Sequence, residues 1–364
     1  MLTSLFGFRQ IASGCAPDQS KPQFRYRSPL NCCAKSGAML RSTLGALAVV
    51  LCCLGSPVQA AGIQLLQTDP ALSGAIWYPC ASEPTHVALG SLSVGADFDL
   101  RGAKDCPVTG AKMPLVIFSH GRGGFFGQHH DTAEALADAG FIVAAINHPG
   151  DTVNDSSRRD TLSVWASRPA DIVRLLDFVL NDWKDRAAID PARVGFFGFS
   201  LGGAAGLVLM GTTPDFARVA SLCKETTGGV CAQLHNGETP PEPIRDARIR
   251  AAVIVDPAPA TLTRENLALV KVPFQFWRSQ FGGPGVGDGS GNARVAEGLP
   301  GKPDVHIVPA GHYAFLAPCS PELAAAIPRI CTDTPAGFDR AGFHREFNAA
   351  VVKYFREQLA AGDR

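Results

Sequence analysis

One stretch restricts the possible folds more than any other: Arg193 to Gly206, reading RVGFFGFSLGGAAG. The apolar run Val194 to Phe197 has the length and residue types of a buried strand, and the small residues that follow favour a helix. Between them Gly198-Phe199-Ser200-Leu201-Gly202 leaves room for a single sharp turn with Ser200 at its apex. Such a turn holds its serine in strained backbone geometry. It also brings neighbouring chain so close that only residues with little or no side chain fit two places to either side, a demand that Gly198 and Gly202 meet. Gly-x-Ser-x-Gly set between a strand and a helix is the context in which a serine serves as a nucleophile. The sequence therefore predicts a nucleophile elbow at Ser200 rather than an ordinary glycine-rich connection.

The surrounding chain alternates strand and helix signals. Gly74 to Tyr78 (GAIWY) is strand-like, and Thr85 to Cys106 reads as a glycine-rich loop region between two cysteines. Leu115 to Phe118 is fully apolar, bounded by Pro114 and by the turn Ser119-His120-Gly121-Arg122-Gly123-Gly124, which suggests a strand buried on both faces of a parallel sheet. A helix over Gln128 to Ala139 follows, then a strand over Ile142 to Ile146. The next helix is expected from about Pro169 to Leu180, with Pro169 in its first turn, where a proline is tolerated. Beyond the elbow, strands are expected at Ile249 to Val255, Val272 to Trp277 and Val305 to Val308. A closing amphipathic helix spans about Arg340 to Leu359, with Phe343, Phe347, Val351 and Tyr354 at helical spacing.

This pattern belongs to the α/β class, as a doubly wound, mostly parallel sheet with right-handed crossovers and ligands beyond the carboxyl ends of the strands. Two segments break the rhythm. Residues 211 to 248 form a Gly/Pro/Thr-rich excursion, a candidate cap over the site. Gly282 to Gly291 (GGPGVGDGSG) reads as a flexible loop that lacks the Gly-Lys-Ser/Thr ending of a phosphate-binding loop. With neither repeat nor linker in view, a single domain over 61–364 is expected.

Hydrophobic residues make up 46% of the 364 and charged residues 18%, which suits a globular core. The formal charge is zero, but residues 1–60 hold six Lys/Arg against Asp18 alone, which leaves the remainder with 27 basic and 32 acidic residues. Nothing in that balance points to nucleic acid. Within the N-terminal extension, 39–60 has Arg41, an apolar core from Leu44 to Leu54 and the small-x-small ending Val58-Gln59-Ala60. It reads as an export signal too short to span a membrane, with Met39 a candidate start, and a periplasmic or secreted destination follows. Of eleven cysteines, six lie beyond that signal, an even number in an exported chain. Fifteen connectivities are open to six cysteines. Pairing of near neighbours, Cys80 with Cys106, Cys223 with Cys231 and Cys319 with Cys331, needs the least rearrangement of chain.

A serine hydroxyl needs a base within hydrogen-bond reach, itself oriented by a carboxylate. In this topology the order along the chain is serine, acid, histidine. Of nine histidines His312, directly after the last strand, is the best placed. For the acid two positions compete. Asp256 follows the apolar strand Ile249 to Val255 at the edge where the serine must lie, whereas Asp288 sits deep in the glycine loop; Asp256 is the expected choice and Asp288 the substitute. The oxyanion of a tetrahedral intermediate needs two donors, expected from the amides of Leu201 and Arg122. Phe125, Phe126, Phe199 and Trp277 are candidate acyl-pocket residues, although aromatic residues at strand ends more often belong to the core. No metal or cofactor is expected.

With these residues placed, the chain resembles the α/β-hydrolases of the dienelactone-hydrolase-like and platelet-activating-factor-acetylhydrolase-like group. The resemblance spans roughly Gly74 to Leu359 and is carried by Pro114 to Phe126, Ala139 to Asn147, the elbow, Asp256, and Gly311-His312-Tyr313-Ala314-Phe315. It implies an α/β-hydrolase fold with Ser200 as nucleophile, His312 as base, an acid after the strand that precedes Asp256, and Arg122 and Leu201 as oxyanion donors. Dienelactone hydrolases proper use cysteine as nucleophile, so the serine points to ester hydrolysis of the acetylhydrolase kind. The expected activity is hydrolysis of small carboxylic esters through an acyl-enzyme. The alternatives are a lipase or polyester hydrolase acting on larger esters, and a noncatalytic binding protein of the same fold.

Overall fold

In a computed structural model the described residues are 60–67, 72–224, 228–301 and 303–360. The N-terminal extension and export signal, except Ala60, lie outside them. The chain divides into two units, Met1–Leu54, which is not among the described residues, and Gly55–Arg364, to which everything below belongs. No described helix is long and apolar enough to cross a membrane.

In chain order the elements begin with β1 (Ala60–Leu66), β2 (Gly74–Cys80), β3 (Thr85–His86), β4 (Arg101–Lys104), β5 (Met113–Ser119), α1 (His130–Asp138), β6 (Ile142–Ile146) and α2 (Val164–Asn181). The central part comprises β7 (Ile189–Phe199), α3 (Leu201–Met210), α4 (Phe216–Leu222), α5 (Gly229–His235), β8 (Ile249–Val255) and α6 (Arg264–Leu267). The chain ends with β9 (Phe274–Ser279), α7 (Ser290–Gly298), β10 (Asp304–Val308), α8 (Pro321–Ala326), α9 (Pro328–Cys331) and α10 (Arg340–Gln358).

The strands form one sheet in the order β10-β9-β8-β7-β5-β6-β2-β1-β4-β3. From β6 to β10 every neighbouring pair is parallel, and β2 joins β6 antiparallel. Because β5, β6 and the apolar part of β7 are covered on both faces, their side chains alternate between two cores. Val116, Phe118, Phe197, Val253 and Val255 face α1 and α10, while Leu115, Ile117, Phe196 and Ile254 face α2 and α3. All the parallel strands point the same way, so the ends of β5, β7, β8, β9 and β10 deliver Ser119, Phe199, Val255, Ser279 and Val308 to one edge of the sheet.

Three sequence expectations are corrected here. Helix α2 begins at Val164, so Pro169 is its sixth residue and lies inside it. The proline withholds the N–H that would have bonded the Trp165 carbonyl. The extra turn forms nonetheless because Val164 and Arg168, one helical turn apart, are both buried. Phe125, Phe126 and Trp277 belong to the core rather than to a substrate pocket: Phe125 stacks edge-on to Phe98 at 4.4 Å, Phe126 meets Trp77 at 6.1 Å, and Trp277 packs on Phe347 at 4.8 Å. Lastly, Gly282 to Gly291 is a tied wall, not a loose loop. Gly283 N–H donates to the Gly287 carbonyl at 2.7 Å, and the Gly282 carbonyl accepts from the His312 amide at 2.6 Å.

The six cysteines pair as Cys80–Cys106, Cys223–Cys231 and Cys319–Cys331. The Cys223–Cys231 link joins the end of α4 to α5 within the 211–248 excursion.

Candidate active site

Ser200 stands between β7 and α3 with φ 54° and ψ −120°, a conformation that costs a residue with a β-carbon roughly 1 to 3 kcal/mol. The sheet holds it there. Ser200 N–H donates to the Val255 carbonyl at 2.9 Å, and the Ser200 carbonyl accepts from Ala258 N–H at 3.1 Å. The flanking glycines are required by contact: a β-carbon on Gly202 would sit 2.1 Å from the Ser119 carbonyl oxygen, and one on Gly198 would sit 2.6 Å from that of Gly202. Gly121 also comes near, since its β-carbon would lie 3.2 Å from that of Ser200. The turn after β5 is thereby pressed against the serine.

Behind Ser200 a line of contacts runs inward. His312 Nε2 lies 3.1 Å from Ser200 Oγ, and His312 Nδ1 lies 2.7 Å from Asp256 Oδ2. With the proton on Nδ1, the imidazole donates to the carboxylate and leaves Nε2 free to accept the serine proton. All three residues are buried, and the ring stacks on Phe199 at a centroid distance of 4.5 Å. Asp256, itself at φ 42°, is fixed by more than the histidine. Its Oδ1 accepts from Ser279 N–H at 3.0 Å and from Asn292 Nδ2 at 2.9 Å, and its Oδ2 accepts from Ser279 Oγ at 2.6 Å. Asp288, the other candidate, is exposed and accepts from Ser290 N–H at 3.0 Å, as a turn-capping carboxylate does.

The turn after β5 has a foundation that the sequence did not reveal. Arg168 of α2 donates through Nη1 to the His120 carbonyl at 2.7 Å and through Nη2 to the Gly121 carbonyl at 3.0 Å. Its Nε and Nη2 also engage Asp151 Oδ2 at 3.0 and 2.8 Å, and Asp151 Oδ1 accepts from Gly123 N–H at 2.8 Å. The two carbonyls and one amide around Arg122 are thus committed to a buried ion pair, and the Arg122 amide stands between them. On the other side Leu201, the first residue of α3, has no carbonyl one helical turn back to bond. Beneath the turn His120 and His148 stay neutral, because burial and the nearby Arg168 cation push both imidazoles well below their ordinary range. Each has its partners: His120 Nδ1 donates to the Gly121 carbonyl at 2.7 Å, and His148 lies between Ser119 Oγ at 2.9 Å and Asp171 Oδ2 at 3.1 Å.

A cavity of about 330 Å³ opens over the serine, bordered by Gly121, Phe199, Ser200, His312, Tyr313 and Leu316. Phe199 alone of the four proposed acyl-pocket aromatics borders it. Among the described residues no cluster of three His, Cys, Asp or Glu side chains is arranged to hold a metal ion. The arrangement that exists is a hydroxyl, an imidazole and a carboxylate in series, beside a turn and a helix start that can each offer an amide to developing negative charge.

Comparison with known proteins bears on the fold. Residues 110–225, which contain the turn, the elbow and α3, match the family model described as serine aminopeptidase, S33. A ferulic acid esterase from Streptomyces cinnamoneus superposes with a TM-score of 0.55 at 18% identity, over 85% of this chain and 94% of that one. No curated protein sequence matches. The chain has the α/β-hydrolase fold. These likenesses bear on that level of the resemblance and not on the narrower dienelactone-hydrolase-like group.

Proposed function

We propose that the protein is a serine hydrolase of small carboxylic esters, of the acetylhydrolase-like kind, and that it works outside the cytoplasm. The observation that carries the reading is the buried series Ser200 Oγ, His312 Nε2, His312 Nδ1, Asp256 Oδ2, with gaps of 3.1 and 2.7 Å. Ser200 Oγ attacks the ester carbonyl carbon while its proton passes to His312 Nε2. The resulting oxyanion is held by the amides of Leu201 and Arg122, and Asp256 stabilises the imidazolium without taking its proton. Collapse of the intermediate expels the alcohol, which leaves with the proton from His312. Water, deprotonated by the same imidazole, then attacks the acyl-enzyme and releases the carboxylic acid and the free serine. Export is supported by the three disulfides, which persist in oxidising compartments.

Hydrolysis of p-nitrophenyl butyrate by the purified protein and by Ser200→Ala tests the reading. The variant is expected to keep the wild-type melting temperature and to lose all turnover beyond the roughly 10³ to 10⁴-fold over water that an oxyanion hole and binding supply alone. Turnover at the wild-type rate in Ser200→Ala would exclude a serine nucleophile.

A further inference from the structure

The cavity over His312 is one of two that meet at Ser200. A second, of about 160 Å³, lies on the far side of the serine, where Ser200 and Leu201 border it and His312 does not. Its walls come from separate elements: Val164 and Trp165 from the start of α2, Val230 from α5, and Ala258 from the turn after β8. Trp165 is held edge-on to Phe216 of α4 at 5.6 Å, and α5 is braced against the loop before α2 by the Gln233 carboxamide oxygen, which accepts from Leu162 N–H at 2.7 Å. The Arg122–Asp160 ion pair and Gly285 border both cavities and divide them. On the His312 side the space continues into a further cavity of about 330 Å³ that includes Arg122, Tyr313 and Arg329.

We infer that the smaller cavity is an acyl-selecting chamber, which makes this an esterase for short aliphatic acyl groups on larger, polar alcohols. The inference rests on the serine-esterase reading and assigns its two substrate sides. The direction follows from where protons travel. The leaving oxygen must receive its proton from His312 Nε2, so the alcohol occupies the cavity that His312 borders. The oxyanion points toward the Leu201 and Arg122 amides. The remaining substituent of the tetrahedral carbon is the acyl chain, and the space left for it is the chamber beside Leu201. Its size suits a short chain: at roughly 30 Å³ for a water-sized group, 160 Å³ corresponds to about five such groups, or the chain of a hexanoyl ester beyond its carbonyl. The aliphatic and indole walls offer a chain dispersion contact, and the two charged residues that also border the chamber, Arg122 and Asp160, are paired with each other. On the alcohol side Tyr313 and Arg329, with Asp160 and Asp333 also on the walls, suit a larger, polar group.

The test is a series of p-nitrophenyl esters from acetate to dodecanoate, assayed on the purified protein and on Ala258→Leu, Val230→Ala and Trp165→Ala. The wild type is expected to lose about tenfold or more in kcat/KM between hexanoate and octanoate, the scale on which a pocket discriminates one added methylene or two. Ala258→Leu should lower the hexanoate-to-acetate ratio about tenfold, and Val230→Ala or Trp165→Ala should raise the octanoate-to-acetate ratio by a similar factor. Because the substitutions sit on three elements, failure of one variant to fold leaves the other two to decide. Ester turnover with acyl-length ratios unmoved in the folded variants overturns the chamber and leaves the esterase reading standing. A parallel series of acetate esters with varied alcohols overturns it equally if the variants change alcohol preference instead. Absence of turnover with every ester overturns the esterase reading and the chamber with it.

Discussion

Two arginine–aspartate pairs flank the turn after β5, and they differ in almost everything but composition. Arg168–Asp151 lies beneath it with both side chains 1% exposed, and its hydrogen bonds run to three backbone groups of the turn as well as between the partners. Arg122–Asp160 lies across the mouth with side chains 50% and 52% exposed. Water competes with the second pair and screens it. The first is shielded from water, so removal of Asp151 takes the only carboxylate among the described residues that is bonded to Arg168, while removal of Arg168 leaves Asp151 with Arg159 at 3.4 Å and the Gly123 amide. The burden of shaping the site therefore falls on the buried half, and the rim is left free to vary with substrate.

The strongest way to break this comparison is at the deepest carboxylate. Asp256→Asn is expected to lower kcat about 10⁴-fold with substrate binding little changed, because the imidazole loses both its tautomer and its charge partner. Asp288→Asn should behave as the wild type. Steady-state kinetics on both variants decides, and the reverse ranking would return the acid to the glycine loop. Next in size is Arg168→Met, which leaves buried Asp151 with only the longer Arg159 contact at 3.4 Å and the Gly123 amide. We expect a loss of about 3 to 5 kcal/mol in unfolding free energy by urea titration. A fall in kcat should accompany it in the fraction that stays folded, since the His120 and Gly121 carbonyls lose their donor; unchanged stability and kcat would show that the pair is dispensable. Smallest is Asp160→Asn at the rim, for which we expect a stability change below about 1 kcal/mol that fades with added salt. A change as large as that of Arg168→Met would erase the distinction between the two pairs.

What the sequence made legible follows the same division. The positions of Ser200, Asp256 and His312 each follow from a strand that ends at a turn, and such signals are local. Their convergence was therefore foreseeable. The supporting partners were not: Ser279 and Asn292 reach Asp256 from 23 and 36 residues away, and Asp151 meets Arg168 across 17. No periodicity marks these pairs, because they exist only once the sheet has been assembled. One signal was available in Arg168, a cation placed one turn after Val164 on the face that α2 buries. The proline rule concealed it by placing the helix start at Pro169. The glycine loop misled for a related reason. Glycine density suggests freedom, yet at Gly283 it serves contact, where a β-carbon would come within 2.9 Å of the His312 β-carbon. The aromatic residues misled by abundance, since Trp277 and Phe125 look like pocket residues in sequence and Trp165, in the segment just before the expected helix, is the one that borders the chamber.

Ser200 and Asp256, two of the described non-glycine residues at positive φ, are tied directly into the parallel sheet: Ser200 through the Val255 carbonyl, and Asp256 through the Trp277 carbonyl at 2.7 Å. Strain of this kind persists only while its surroundings enforce it, and here those surroundings are the central strands themselves. Inactivation and global unfolding should then be a single cooperative event. Under denaturant the proposed esterase activity and the far-ultraviolet signal of the sheet would disappear together, and that activity would report on whether the whole fold is intact.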